Sequence, residues 1–166
     1  MLTDRHCISV QVQPYEVPGW GVGELWLEDG TLVYHELPRA APPPAVGTRQ
    51  APALLELVEA YFAGQPVAFD EVELELEWCT PFQRAVAEAL RRVPYGETLT
   101  YGELAIAAGY PNAHRAAGTF CAANRFPLVL PCHRVVSAAG IGSYGSLGSD
   151  YKRRLLALEG VSLGAL

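Results

Sequence analysis

Apolar and polar residues alternate from Ile8 to Val12, and a period of two predicts a strand. Gly23–Leu27 and Thr31–Leu37 are further apolar-rich runs that flank Asp29-Gly30, the residue pair a tight two-residue hairpin turn demands. From Pro38 to Pro52, with Pro42-Pro43-Pro44 inside, the chain lacks the backbone donors and freedom of regular structure and reads as a loop. Ala53–Phe62 has helical spacing, with Gly64 as its stop. Over Val67–Trp78, Val72, Leu74 and Leu76 alternate with Glu71, Glu73, Glu75 and Glu77, which predicts a strand with one wet acidic face, or a linker strand. The first part is therefore a small α/β unit, and the change of pattern near Cys79 divides the chain into expected domains 1–79 and 80–166.

Helical periodicity dominates the second part. Thr80-Pro81-Phe82-Gln83 is a capping box with proline at the first helical position, and Phe82, Val86, Ala89 and Leu90 then share one face. After the Pro94-Tyr95-Gly96 turn, Thr100-Tyr101-Gly102-Glu103 forms a second capping box opening a short helix through Ala108. Gly109-Tyr110-Pro111-Asn112 breaks it, and Asn112 is placed to cap a further helix, Ala113–Ala123. Helix, glycine-containing turn, helix is the helix-turn-helix pattern. Its second helix carries Ala113, Ala116, Ala117, Gly118, Ala122 and Ala123, small residues that let a backbone approach either another helix or a duplex closely. A last helix spans Asp150–Leu158, bearing Lys152, Arg153 and Arg154 and stopped by Gly160. The expected fold class is α+β: a hairpin sheet plus helix, followed by a mostly helical, winged-helix-like part.

Composition narrows the setting. With 166 residues, half of them apolar and 18% charged, the chain has the make-up of an ordinary globular protein. It contains no apolar run of transmembrane length, and Met1–His6 shows no signal-like apolar region, so a cytoplasmic protein without membrane contact is expected. Cys7, Cys79, Cys121 and Cys132 form no C-x-x-C pair and read as reduced thiols; with His6 and His35 they show no metal-ligand spacing, so no metal is expected. The net charge of −6 hides a split. Residues 1–79 hold 3 basic and 13 acidic side chains, while residues 80–166 hold 9 basic and 5 acidic, so a polyanion would meet the second part.

The candidate chemistry centres on Leu128-Val129-Leu130-Pro131-Cys132-His133-Arg134-Val135-Val136. Apolar runs suggest a buried mount, Pro131 stiffens it, and cationic neighbours would favour a thiolate at Cys132. An inert buried thiol is the competing reading. Neighbouring side chains of an extended segment point opposite ways, so His133 would act on Cys132 through a bridging water, with Glu159 among the few acids able to orient the imidazole.

Pro131-Cys132-His133-Arg134-Val135-Val136 resembles the active-site signature of the O6-alkylguanine-DNA alkyltransferases, or methylated-DNA–protein-cysteine methyltransferases. The resemblance runs from about Thr80 to Gly160. It takes in Tyr101, Arg115-Ala116, Cys121-Ala122-Ala123-Asn124 and Leu155-Leu156-Ala157-Leu158-Glu159-Gly160, in order and with fitting spacings. It implies single-turnover DNA repair without a cofactor: a monomer that binds double-stranded DNA through the minor groove and moves the alkyl group of O6-alkylguanine, with O4-alkylthymine as a second lesion, irreversibly to Cys132. By the same resemblance His133, polarised by Glu159, deprotonates Cys132 and Asn124 braces the active-site turn. Tyr101 donates to the leaving guanine, and Arg115 replaces the flipped nucleotide in the stack. Ala116, Thr119 and Ala122 line the DNA-facing helix, while Pro131, Val135, Ser137 and Tyr144 form the alkyl pocket.

Three positions depart from the family pattern. Phe120 stands where a small residue is usual, Gly142–Gly148 is one residue short before Tyr144, and His114 precedes Arg115. Two other readings compete: a non-catalytic binder of alkylated DNA, against which Cys132 argues, and a transcription regulator, whose recognition helix should carry more base-reading side chains than Ala113–Ala123 offers.

Overall fold

The structure, a computed structural model, describes residues 9–44 and 49–165. Ile8, Cys7, His6 and part of the proline-rich loop lie outside them. Three strands, β1 (Gln11–Val17), β2 (Gly21–Glu28) and β3 (Thr31–Arg39), form an antiparallel sheet in that order. The first strand thus begins later than the sequence pattern suggests and continues further. Asp29 (φ 49°) and Gly30 (φ 82°) are both left-handed, which is what the two central residues of a type I′ turn require. Gln13, Tyr15, Val17, Leu25, Leu27, Leu32, His35 and Leu37 point inward. Gly23 is obligatory in this sheet: a Cβ there would lie 2.5 Å from the Tyr15 ring and 2.8 Å from the Glu36 carbonyl oxygen.

Helix α1 (Pro52–Phe62) lays Leu54, Leu55, Val58, Tyr61 and Phe62 into the core, and the chain leaves it through Gly64 at φ 84°. The expected strand over 67–78 is overturned. Only Leu74 bridges to Leu32, in parallel, through two hydrogen bonds of 2.9 Å. Elsewhere local turns end at Val72 and Cys79, and the Arg91 guanidinium takes the carbonyls of Phe69 and Val72, partners that need no neighbouring strand.

Four more helices follow: α2 (Pro81–Arg91), α3 (Tyr101–Ala107), α4 (His114–Ala122) and α5 (Ser149–Leu158). Both capping boxes form, each Thr hydroxyl accepting from the third-residue amide while the Gln83 or Glu103 side chain accepts from the cap amide. Asn112 does not cap α4; its N-cap is Ala113, without a side-chain cap, and the Ala113 amide donates to the Tyr110 carbonyl. Two-residue strands β4 (Leu99–Thr100) and β5 (Val135–Val136) pair in parallel and fix α3 beside the Cys132 segment. One buried cluster joins the sheet, α1 and the later helices. Among the described residues no helix is long and apolar enough to cross a membrane.

Candidate active site

Cys132 opens a single 3₁₀ turn, Cys132–Arg134, and not an extended run. The segment before it is bent by Leu128, a non-glycine residue at φ 72°. Asn124, at the end of α4, ties the two sides of this bend together. Its Nδ2 donates to the Leu130 carbonyl (2.8 Å) and to Cys132 Sγ (3.1 Å), and its Oδ1 accepts from the Phe126 amide (2.9 Å).

Cys132 is only 5% exposed, and burial pushes the thiol pKa up. Hydrogen bonding from Asn124 and the charge of Lys152 oppose that push without overcoming it. The resting group is therefore a thiol, not the standing thiolate expected from its sequence neighbours. Arg134 is engaged elsewhere, its guanidinium bonded to Glu159 and the Val93 carbonyl. The cation that counts is Lys152, in the basic triplet of α5. It is wholly buried, donates to the carbonyls of Val135 (2.6 Å) and Ser143 (3.2 Å), and sits 5.9 Å from the Tyr101 ring.

Behind Cys132 lies a polar network closed to solvent. Glu159 caps α5, and its Oε2 meets His133 Nε2 at 2.5 Å. Oε1 accepts from Arg134 Nε (2.8 Å) and the Gly96 amide (2.9 Å). Burial pushes the carboxyl pKa up, but His133 and then Arg134 outweigh it and hold Glu159 at about 2. With the carboxylate ionised, the proton on His133 sits at Nε2. Nδ1 is left as a buried acceptor without a protein partner among the described residues, and burial lowers the imidazole pKa and keeps it neutral. Sequence analysis missed a further member of this network, Tyr61 of α1, whose hydroxyl donates to Glu159 Oε2 (2.6 Å).

A cavity of about 30 Å³ opens at the sulfur, bounded by Tyr101, Gly118, Cys121, Ala122, Tyr144 and Gly145. It has room for one group of about water size. Tyr144 stands at this cavity as expected, but Pro131, Val135 and Ser137 do not line it. Pro131 faces a separate groove with Arg91 and Tyr95, and the Val135 carbonyl is taken by Lys152. Burial, then Cys121 and Cys132, raises the Tyr101 pKa, so its phenol remains a donor. A wider cleft of about 160 Å³ leads to the sulfur between the 144–147 loop and β3, where Tyr34, Glu36 and Arg39 form a wall that sequence analysis did not assign.

On α4, Ala117, Phe120 and Cys121 face inward, Phe120 stacking on Trp78 at 6.3 Å. Phe120 therefore belongs to the core and leaves the outer face clear. That face presents His114, Arg115, Ala116, Thr119 and Ala122, all exposed. Small side chains behind a single leading arginine make a helix surface that a large, flat-walled partner can approach closely.

Comparison with known proteins fits this arrangement. Residues 81–161 match the family described as 6-O-methylguanine DNA methyltransferase, DNA binding domain. A methylated-DNA–protein-cysteine methyltransferase of Methanopyrus kandleri is 43% identical over 125 residues, 75% of this chain and 92% of that protein. One of Methanothermobacter thermautotrophicus is 36% identical over 149 residues, covering 86% and 81%. The crystal structure of the Mycobacterium tuberculosis O6-methylguanine methyltransferase superposes with a TM-score of 0.77 at 34% identity, covering 91% of this chain and 93% of that one. The OGT of the same organism in complex with DNA gives 0.76 at 35%, covering 90% and 92%. Fold, sequence and neighbours agree on a class, the direct-reversal DNA-repair methyltransferases that work through a cysteine. The chain belongs to the methylated-DNA–protein-cysteine methyltransferase family.

Proposed function

We propose that this chain repairs double-stranded DNA by moving the alkyl group of O6-alkylguanine, and of O4-alkylthymine, to Cys132, once per molecule. The observation that carries the reading is the alignment at the sulfur: Asn124 Nδ2 holds Sγ at the mouth of the small cavity, and a neutral His133 is held behind it by Glu159. Through one water, His133 Nδ1 takes the thiol proton. The sulfur then attacks the alkyl carbon and a C–S bond forms as the C–O6 bond breaks. The electron pair of that bond goes to the purine, where the Tyr101 hydroxyl donates, and the proton the base takes up balances the one the thiol gives up. The thioether has no internal route back to a thiol, so the protein is consumed.

The exposed face of α4 supports docking in the minor groove, with Arg115 entering the stack as the lesion flips out at a cost of a few kcal/mol. Ala116, Thr119 and Ala122 allow the close approach. The division into domains 1–79 and 80–166, a monomeric state and a cytoplasmic location belong to the same proposal. So does a preference for methyl over bulky lesions, which the 30 Å³ cavity supports.

The test is intact mass after incubation with an O6-methylguanine duplex. One methyl on Cys132 of the wild type, and none on Cys132→Ser with lesion binding retained, is expected. Tight lesion binding with unchanged wild-type mass refutes transfer and favours a damage-recognition protein.

A further inference from the structure

The Glu159 carboxylate is satisfied by four residues from three separate parts of the chain, and one of them is not in the helix-turn-helix part at all. Tyr61, in the last turn of α1, is wholly buried, its ring packed on those of Phe62, Tyr95 and His133 at 5.4, 6.1 and 6.3 Å. Its hydroxyl lies 2.6 Å from Glu159 Oε2 and 3.3 Å from His133 Nε2. Because Nε2 carries the proton that faces the carboxylate, the hydroxyl has one acceptor, Oε2. Burial, then Glu159, raises the phenol pKa far above its ordinary value, so Tyr61 stays a donor at every working pH. Two close donors, the phenol and the imidazole, therefore compete for the same carboxylate oxygen, with Arg134 Nη2 further off at 3.3 Å.

We infer that Tyr61 is a positioning residue for the transfer reaction: it fixes the Glu159 carboxylate against His133 and sets how strongly that carboxylate supports the imidazole. The inference rests on the reading of His133 as the base for Cys132. It also gives α1 a part in the chemistry. The hydroxyl drains electron density from Oε2, which weakens the Nε2–H···Oε2 bond and holds the imidazole less basic. Arg134 beside it and Lys152 on α5 also act on His133 electrostatically, while Tyr95, from the turn after α2, is acted on by Glu159 and Arg134. None of these donates a hydrogen bond to Oε2 except Arg134 Nη2, at 3.3 Å. Removing the phenol hydroxyl leaves the imidazole as the one donor within 3 Å of that oxygen among the described residues.

Two opposite perturbations test this. Tyr61→Phe keeps the ring and deletes the donor; a ring-fluorinated tyrosine placed at residue 61 keeps the shape and strengthens it. His133 is titrated by nitrogen-15 NMR in the DNA-free protein, and single-turnover methyl transfer to Cys132 is followed across the same pH range. Tyr61→Phe is expected to raise the His133 pKa and move the acid limb of the rate profile up by about half a pH unit or more, about threefold in rate on that limb. The fluorinated protein is expected to move both the other way. Leu55→Val, in the same helix but away from the network, should move neither, which separates the effect from loosened packing. Unchanged titrations, or both tyrosine variants shifting in one direction, overturn the inference. If Tyr61→Phe does not fold, the fluorinated protein decides alone. A wild-type chain that never methylates Cys132 would refute the proposed function, and the NMR titration would still decide the role of Tyr61.

Discussion

Acid should loosen the sheet from the active-site segment, and one histidine sets the size of the effect. His35 of β3 is 2% exposed; one ring nitrogen lies 2.7 Å from the Tyr15 hydroxyl and the other donates to the Pro127 carbonyl at 2.8 Å. The adjoining His35 amide donates to the Arg125 carbonyl, so this residue clamps the sheet to the stretch between Asn124 and Cys132. Burial lowers its pKa from 6.5 to about 4, the Pro127 bond only partly opposing the fall. The unfolded chain binds a proton near pH 6.5 and the folded chain does not until about pH 4. The stabilising difference is thus fully present above 6.5 and is lost as pH falls through that window. At about 1.4 kcal/mol per pH unit, the loss is about 3 kcal/mol. Urea unfolding of the wild type and of His35→Gln, which can still bond both partners, should show the wild type losing about 3 kcal/mol more between those two pH values. Parallel stability curves would refute the assignment.

Other substitutions read other parts of the site. Lys152→Met removes the buried cation near Cys132, and the thiol should titrate higher, with transfer at neutral pH slowed on the order of tenfold; pH-dependent iodoacetamide labelling of Cys132 checks this. Arg115→Ala should slow reaction with a lesion in duplex DNA while sparing reaction with the free modified base, and equal loss on both would contradict its role in the stack. Phe120→Ala, which empties a stack against Trp78 in the core, should cost about 3–5 kcal/mol in urea unfolding while leaving the outer face of α4 intact.

What the sequence made legible was local. Asp29-Gly30, both capping boxes and the glycine stops after α1 and α5 act within a few residues, so their residue types alone announce them. The alternation over 67–78 misled because a strand needs a partner along its whole length, and the sheet offers one only at Leu32. Cys132, His133 and Glu159 stood out as residue types able to work together, while Asn124 and Tyr101 entered only through the family resemblance. Lys152 was not legible: in the triplet Lys152-Arg153-Arg154 nothing local says that one cation turns inward while the other two stay exposed. Tyr61 was equally silent, being an aromatic on an apolar helix face, and its partner lies 98 residues away.

That separation has a consequence for when the protein becomes competent. The buried carboxylate collects donors from Tyr61, Gly96, His133 and Arg134, and it lies behind the thiol near the far end of the chain. Closing contacts of such long range is among the slow events of folding. Until they close, the imidazole has no fixed tautomer and the base proposed for the thiol is not assembled. A partly folded chain therefore holds every reactive side chain without the arrangement proposed to activate its thiol, and capacity for transfer should appear only as the last of these long-range contacts closes.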